Sequence, residues 1–172
     1  VCSSDLMTRI FPPLGLLLVL TAGALAYFIY FGQWFPPTMA VHFNAAGFAD
    51  GWADRIKFIV IGSSVSFMLP PFMVALLGVL PRIIPVSMLN LPNKDYWFTP
   101  ERRDEGYRRV MVLALWFGCV LQAFLLGLWI LIGQANAAPQ PHLTGHWFLL
   151  IGLLGGLALH LSMARRSLAR PE

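Results

Sequence analysis

The sequence predicts an all-α integral membrane protein: a four-helix transmembrane bundle with a short structured outer hairpin between its first and second helices. Three observations predict it. Hydrophobic residues make up 58% of the 172 residues and charged residues only 12%, far more apolar than a soluble core requires. Four apolar runs come close to, or exceed, the roughly 20 residues that carry a helix across the hydrocarbon layer. Backbone groups in lipid must be paired within their own segment, and these runs are too long for strands, so each is expected to be a helix.

The first run covers about 14–31 and opens on Pro12 and Pro13, residues suited to a helical first turn whose amide hydrogens lack partners anyway. The second, about 58–80, carries no charge but holds Pro70-Pro71, which predicts a kink near mid-membrane. The third, about 110–133, is the longest, and the fourth, about 147–164, is as short as the first. Residues 7–172 read as one membrane domain. Residues 1–6 look foreign to it and read as a non-native leader, with Met7 as the expected natural start. A cleaved signal peptide is the rival account of the first run, but the apolar stretch continues through Tyr27-Phe28-Ile29-Tyr30-Phe31 past any cut after Ala26.

Basic residues orient the spans. Arg82, Lys94, Arg102, Arg103, Arg108 and Arg109 lie between the second and third runs, Arg165, Arg166 and Arg170 follow the fourth, and Arg9 precedes the first. Only Arg55 and Lys57 fall on the other side. Basic loops stay in the cytoplasm, so both ends are expected there. The formal charge of +4 is thus a topology signal and calls for no nucleic-acid partner. Cys119, within the third span, is the only cysteine outside the leader, so no disulfide framework is expected.

The outer connection is the most distinctive segment. Pro36-Pro37 enforces an extended entry, and Met39, Val41 and Phe43 alternate with Ala40, His42 and Asn44, the period of a strand. Asn44 to Gly47 and Asp50-Gly51 are turn signals, and Trp34 and Trp52 bracket the segment as interfacial anchors do. The candidate ligand or turn motif comprises Pro37, Thr38, His42, Phe43, Asn44, Gly47, Asp50, Gly51 and Trp52. Two accounts are open: His42, Asn44 and Asp50 hold the turns, or they present a surface to a peptide or envelope ligand. Two side chains without a third fall short of a metal site.

Between the second and third spans, Thr99 reads as a helix cap with Pro100 at the first position and Glu101 facing the positive end of the dipole. Asp104 with Arg108 and Glu105 with Arg109 are expected to pair one turn apart. Asn93, Lys94, Tyr96, Trp97, Pro100, Glu101, Arg102 and Arg103 form the candidate inner docking surface for a cytoplasmic partner or for lipid headgroups. The plainer account is a solvated helix end that fixes topology. Within the spans, Gln122 and His160 are the deepest polar side chains, read as an interhelical contact or, alternatively, as the polar path of a small transporter. Gly152 and Gly156 fall on one helix face with His160 and permit close helix packing, which leaves room for a homodimer.

The string from Pro36 to Trp52, Pro-Pro-Thr-Met-Ala-Val-His-Phe-Asn-Ala-Ala-Gly-Phe-Ala-Asp-Gly-Trp, resembles the signature of the domain-of-unknown-function 1648 (DUF1648) family over about residues 14–60. That family occurs alone and at the front of SdpI-type immunity membrane proteins. Leu91 to Trp97 and Pro100 to Arg103 resemble a pattern in its relatives. The chain is shorter than the SdpI pattern and lacks room for its additional spans. The resemblance implies a bacterial inner-membrane protein for sensing or immunity, with no catalytic residues to carry over. No catalytic triad, HExxH, GxGxxG or phosphate-binding loop appears, so a non-catalytic protein without a cofactor is expected, its surroundings the lipid bilayer.

Overall fold

The computed structural model describes residues 4–170. Helix α1 (Ser4–Phe31) leads through a short 3-10 turn at Gly32–Trp34 into a two-stranded antiparallel hairpin, β1 (Thr38–Phe43) and β2 (Ala49–Asp54). Helix α2 (Arg55–Val74) begins directly on the second strand, capped by the Asp54 carboxylate, which accepts from the Lys57 amide at 2.8 Å. A π-helical turn at Ala75–Val79 and a 3-10 turn at Leu80–Arg82 extend it. After an irregular connection come the short α3 (Lys94–Trp97), the long α4 (Arg103–Ala135) and α5 (His146–Ser167). Four helical segments, 9–34, 55–82, 103–135 and 146–167, are long and apolar enough to cross a membrane.

Several local expectations change. Pro12 and Pro13 lie inside α1, because the helix starts well before them and proline already holds the backbone angle a helix uses. Pro70 and Pro71 do not end α2; the helical bonding loosens one turn later, in the π-helical segment. Helix α4 starts at Arg103, after a turn in which the amides of Arg102 and Arg103 donate to the Thr99 carbonyl at 3.1 and 2.9 Å. Thr99 therefore closes that turn through its main chain, and Pro100 and Glu101 precede the helix. Glu105 takes both arginine partners, Arg108 and Arg109, while Asp104 stays exposed.

Helix α4 is the axis of the bundle: it packs against α1, α2, α5, α3 and β1, whereas α5 rests on α4. Close approach is set by glycine. A Cβ on Gly62 or Gly133 would collide with the rings of Phe28 and Tyr27, and one on Gly156 would sit 3.0 Å from Val120. At the hairpin end, Phe28, Phe35, Met39, Phe58 and Ile132 form one core, stacked edge-to-face where their rings meet. At the opposite end Leu89, Trp97, Phe98, Val110, Leu113 and Leu168 form another. Strand β1 thus lies on the helix ends with Met39 fully buried and Val41 and Phe43 packed beside it, as the alternation predicts.

Candidate functional site

The hairpin is built by its small and polar residues. The Asn44 side-chain oxygen accepts from the amides of Ala46 and Phe48 at 3.0 and 3.1 Å, while its own amide donates to the Phe48 carbonyl at 2.9 Å. Gly47 closes this turn with φ +85°, where a side chain is strained and a Cβ would lie 2.7 Å from the Leu143 carbonyl. Gly51 faces His42 across the strands, and a Cβ there would come within 2.8 Å of the His42 Cβ. Pro37 gives its carbonyl to the Arg55 amide at 2.9 Å, and Phe43 joins the core. Five of the nine motif residues, Pro37, Phe43, Asn44, Gly47 and Gly51, therefore shape the loop.

The remaining four face outward. His42 Nδ1 lies in hydrogen-bond contact with the Asp50 carboxylate, the two side chains being 74% and 43% exposed. Trp52 is 54% exposed in the same strand as Asp50, and Thr38 is exposed at the other end of the hairpin. The structure thus brings His42 and Asp50 together, as convergence of the hairpin requires, and leaves Asn44 to the turn. Among the described residues, no group of three His, Cys, Asp or Glu side chains is placed to hold a metal ion.

Two residues outside the motif hold this surface in place. Asn136, just past the end of α4, accepts from the Ala40 amide at 2.7 Å and donates to the Ala40 carbonyl at 2.9 Å, acting as a one-residue strand on the edge of β1. It also reaches back to the Ile132 carbonyl at 2.9 Å. His142, in the α4–α5 connection, lies with its ring 4.8 Å from Phe48 and its Nε2 3.0 Å from the Ala46 carbonyl, and the Leu143 amide donates to Gly47 at 2.8 Å. A lone Asn at a helix end and a His just after a Pro-Gln-Pro run carry no such signal in sequence, because their partners are about 96 residues away. Beside the hairpin root is a largely apolar cavity of about 360 Å³, bounded by Tyr27, Phe31, Trp34, Phe35 and Asn136 among others.

At the opposite end, the last carbonyls of α5 lack partners within their own helix. Leu168 receives the Asn93 amide and the Trp97 indole, both at 2.9 Å, and Ser167 receives Arg109 at 2.7 Å. The Arg109 guanidinium also stacks 4.2 Å over Trp97. Asn93 and Trp97, read as docking residues, are thus engaged in fastening α5; Trp97 is buried, and Asn93 adopts a left-handed conformation (φ 52°) to reach its partner. Lys94 bonds the Ser87 carbonyl at 3.0 Å, and Arg102 lies 4.4 Å over the half-buried Tyr96. Pro100, Glu101, Arg102 and Arg103 remain exposed. Its own backbone amide, above all, holds the Glu101 carboxyl below the usual carboxylate range.

Within the bundle, Gln122 is 0% exposed and neither atom of its amide has a hydrogen-bond partner. His160 lies beside Phe117 with ring centroids 5.7 Å apart, its buried Nδ1 also unpartnered. The two residues are not brought together: Phe117 and Val120 face α5, whereas the stripe containing Gly118 and Gln122 faces α1 and α2. The two glycines differ as well, Gly156 packing on α4 while nothing lies within 4 Å of a Cβ on Gly152. No family model, no curated protein and no solved structure matches this chain.

Proposed function

We propose that this chain is a DUF1648-like, multi-pass protein of the bacterial inner membrane, with both termini cytoplasmic, acting as a non-catalytic sensing or immunity-type protein. Its outer hairpin meets a peptide or envelope ligand, and α4 links that surface to the cytoplasmic face. The observation that carries this reading is the double bond of Asn136 to Ala40, which ties the exposed His42–Asp50–Trp52 surface to the end of α4. The same helix, at its other end, bonds the last turn of α5 through Arg109, so a load on the hairpin has a rigid route through the bundle. A small transporter is the weaker reading, since His160 of α5 packs on the Phe117 face of α4, whereas Gln122 lies on the α4 stripe with Gly118, away from it.

The test is a strain lacking this gene, challenged with a panel of membrane-active peptides and rescued with wild type, His42→Ala or Trp52→Ala at matched membrane levels. Wild type is expected to protect against at least one peptide and both variants to protect less. Equal protection by all three would remove the hairpin from the mechanism; absence of protection against every peptide would remove the immunity reading.

A further inference from the structure

Two ring-held arginines mark the end of the bundle opposite the hairpin. Arg82, closing the extension of α2, lies 5.6 Å over the Tyr107 ring, and Arg102, just before α4, lies 4.4 Å over Tyr96. Tyr107 meets Phe98 edge-to-face at 5.1 Å and Tyr96 meets Trp97 at 5.0 Å, while Trp97 and Phe98 are neighbours in the buried core at this end. One row of aromatic side chains therefore carries both guanidiniums. Arg109, over Trp97 in the same row, is committed to Glu105 and to the end of α5. Arg82 and Arg102 are not so committed: both are exposed, and among the described residues neither donates a hydrogen bond or has a carboxylate within ion-pair distance. Glu101, the neighbour of Arg102, is held first by its own amide, and the Arg102 charge is the least of the influences on it.

A ring contact restrains a guanidinium through its face and leaves its in-plane N–H donors open to the oxygens of a phosphate. Location narrows the choice of anion. One apolar span ends at Arg82 and the next begins at Arg103, so both guanidiniums stand at the border of the hydrocarbon, beside the headgroup layer. Ile83 and Met88, in the connection that follows Arg82, are 74% and 69% exposed, and a bilayer interface buries such side chains where water does not. The surrounding charge is complementary, since segments 82–109 and 165–170 hold nine basic and four acidic residues. We infer that the Arg82–Tyr107 and Arg102–Tyr96 pairs are docking points for the phosphates of anionic phospholipids in the leaflet at this end, with Ile83 and Met88 seated among the adjoining acyl chains. Fixing topology requires only positive charge near a span. This surface, in addition, holds two of its charges on rings and leaves them without counterions of their own. It lies at the far end from the hairpin and is independent of any ligand there.

The test compares the purified full chain in nanodiscs of phosphatidylcholine with the same chain in a mixture of phosphatidylcholine and phosphatidylglycerol. The thermal midpoint of the wild type is expected to be higher in the mixture by about 2–4 °C. The double variant Arg82→Gln, Arg102→Gln is expected to lose most of that increment, whereas Lys57→Gln, which removes an exposed positive charge at the hairpin end, keeps it. No increment in the wild type, an increment that survives in the double variant, or one that Lys57→Gln abolishes equally overturns the assignment. An equal increment from inorganic phosphate added to the neutral nanodiscs overturns it too, because the anion would then be a soluble one. Phosphorus–carbon dipolar NMR of the wild type, labelled at the arginine Cζ, needs no variant to fold: dephasing by lipid phosphorus is expected in the mixture, and its absence removes the docking points.

Discussion

Asn136 completes the edge of β1 by bonding both the amide and the carbonyl of Ala40, at 2.7 and 2.9 Å, so that a helix end serves as the third strand of a two-stranded sheet. A two-stranded hairpin is marginal alone. Here it gains stability from this edge contact and from Met39, which is fully enclosed by the aromatic core beneath.

Asn136→Ala strands the buried Ala40 amide and carbonyl and is expected to destabilise the fold by about 1–3 kcal/mol. Amide exchange localises the effect: protection over 38–43 falls, whereas α5 is unchanged. Equal loss at both ends of the bundle would show that Asn136 does not act through the hairpin.

Substitution at two glycines is expected to act in opposite directions. Gly47→Ala places a side chain at φ +85° and against the Leu143 carbonyl, costing about 1–2 kcal/mol. Gly152→Ala meets nothing within 4 Å and raises helix propensity, a gain of up to about 1 kcal/mol. Thermal midpoints in one detergent give both signs, and a Gly152→Ala loss would point to a helix packed on that face.

Trp97→Phe retains a ring beneath Arg109 but removes the indole donor to Leu168, at an expected cost of about 1 kcal/mol. Arg109→Lys keeps the charge but loses the planar stack. Faster amide exchange over 164–168 in both variants, with the hairpin unaffected, is the expected result.

Glu101 titrates abnormally for a local reason. Its carboxyl is held below the ordinary value of 4.5, so the contribution it makes is present above that value and is lost as pH falls through the lower folded value. Glu101→Gln is therefore expected to flatten the acid-side decline of the thermal midpoint below about pH 4.5, with no change near neutrality. An identical acid limb in wild type and variant would show that the carboxylate makes no such contribution.

Reporter fusions test the orientation. A fusion after Arg102 is expected to read as cytoplasmic and one in the hairpin near Asn44 as external. The reverse pattern would exchange the roles assigned to the two ends.

The helices, the strand at Met39 to Phe43 and the turns at Asn44 and Gly47 were legible because each depends on neighbours in sequence: apolar run length, alternation and backbone angles. Asn44 bonds Ala46 and Phe48, and Asp54 bonds Lys57, all within a few residues. Partner choice beyond that range was not legible. Glu105 took Arg108 as well as Arg109, and Trp97 turned inward to the end of α5 instead of outward to a partner. The roles of Asn136 and His142 emerge only when helices cross, because a side-chain amide or imidazole has the same local signal whether it meets water, lipid or a distant main chain. Composition and periodicity alone determined that there are four apolar helices and one hairpin; tertiary packing alone decided that α4 holds the hairpin through Asn136. The physical reason is that hydrophobic period is written along the chain, whereas the pairing of an orphaned polar group is settled by whatever backbone the fold brings opposite it.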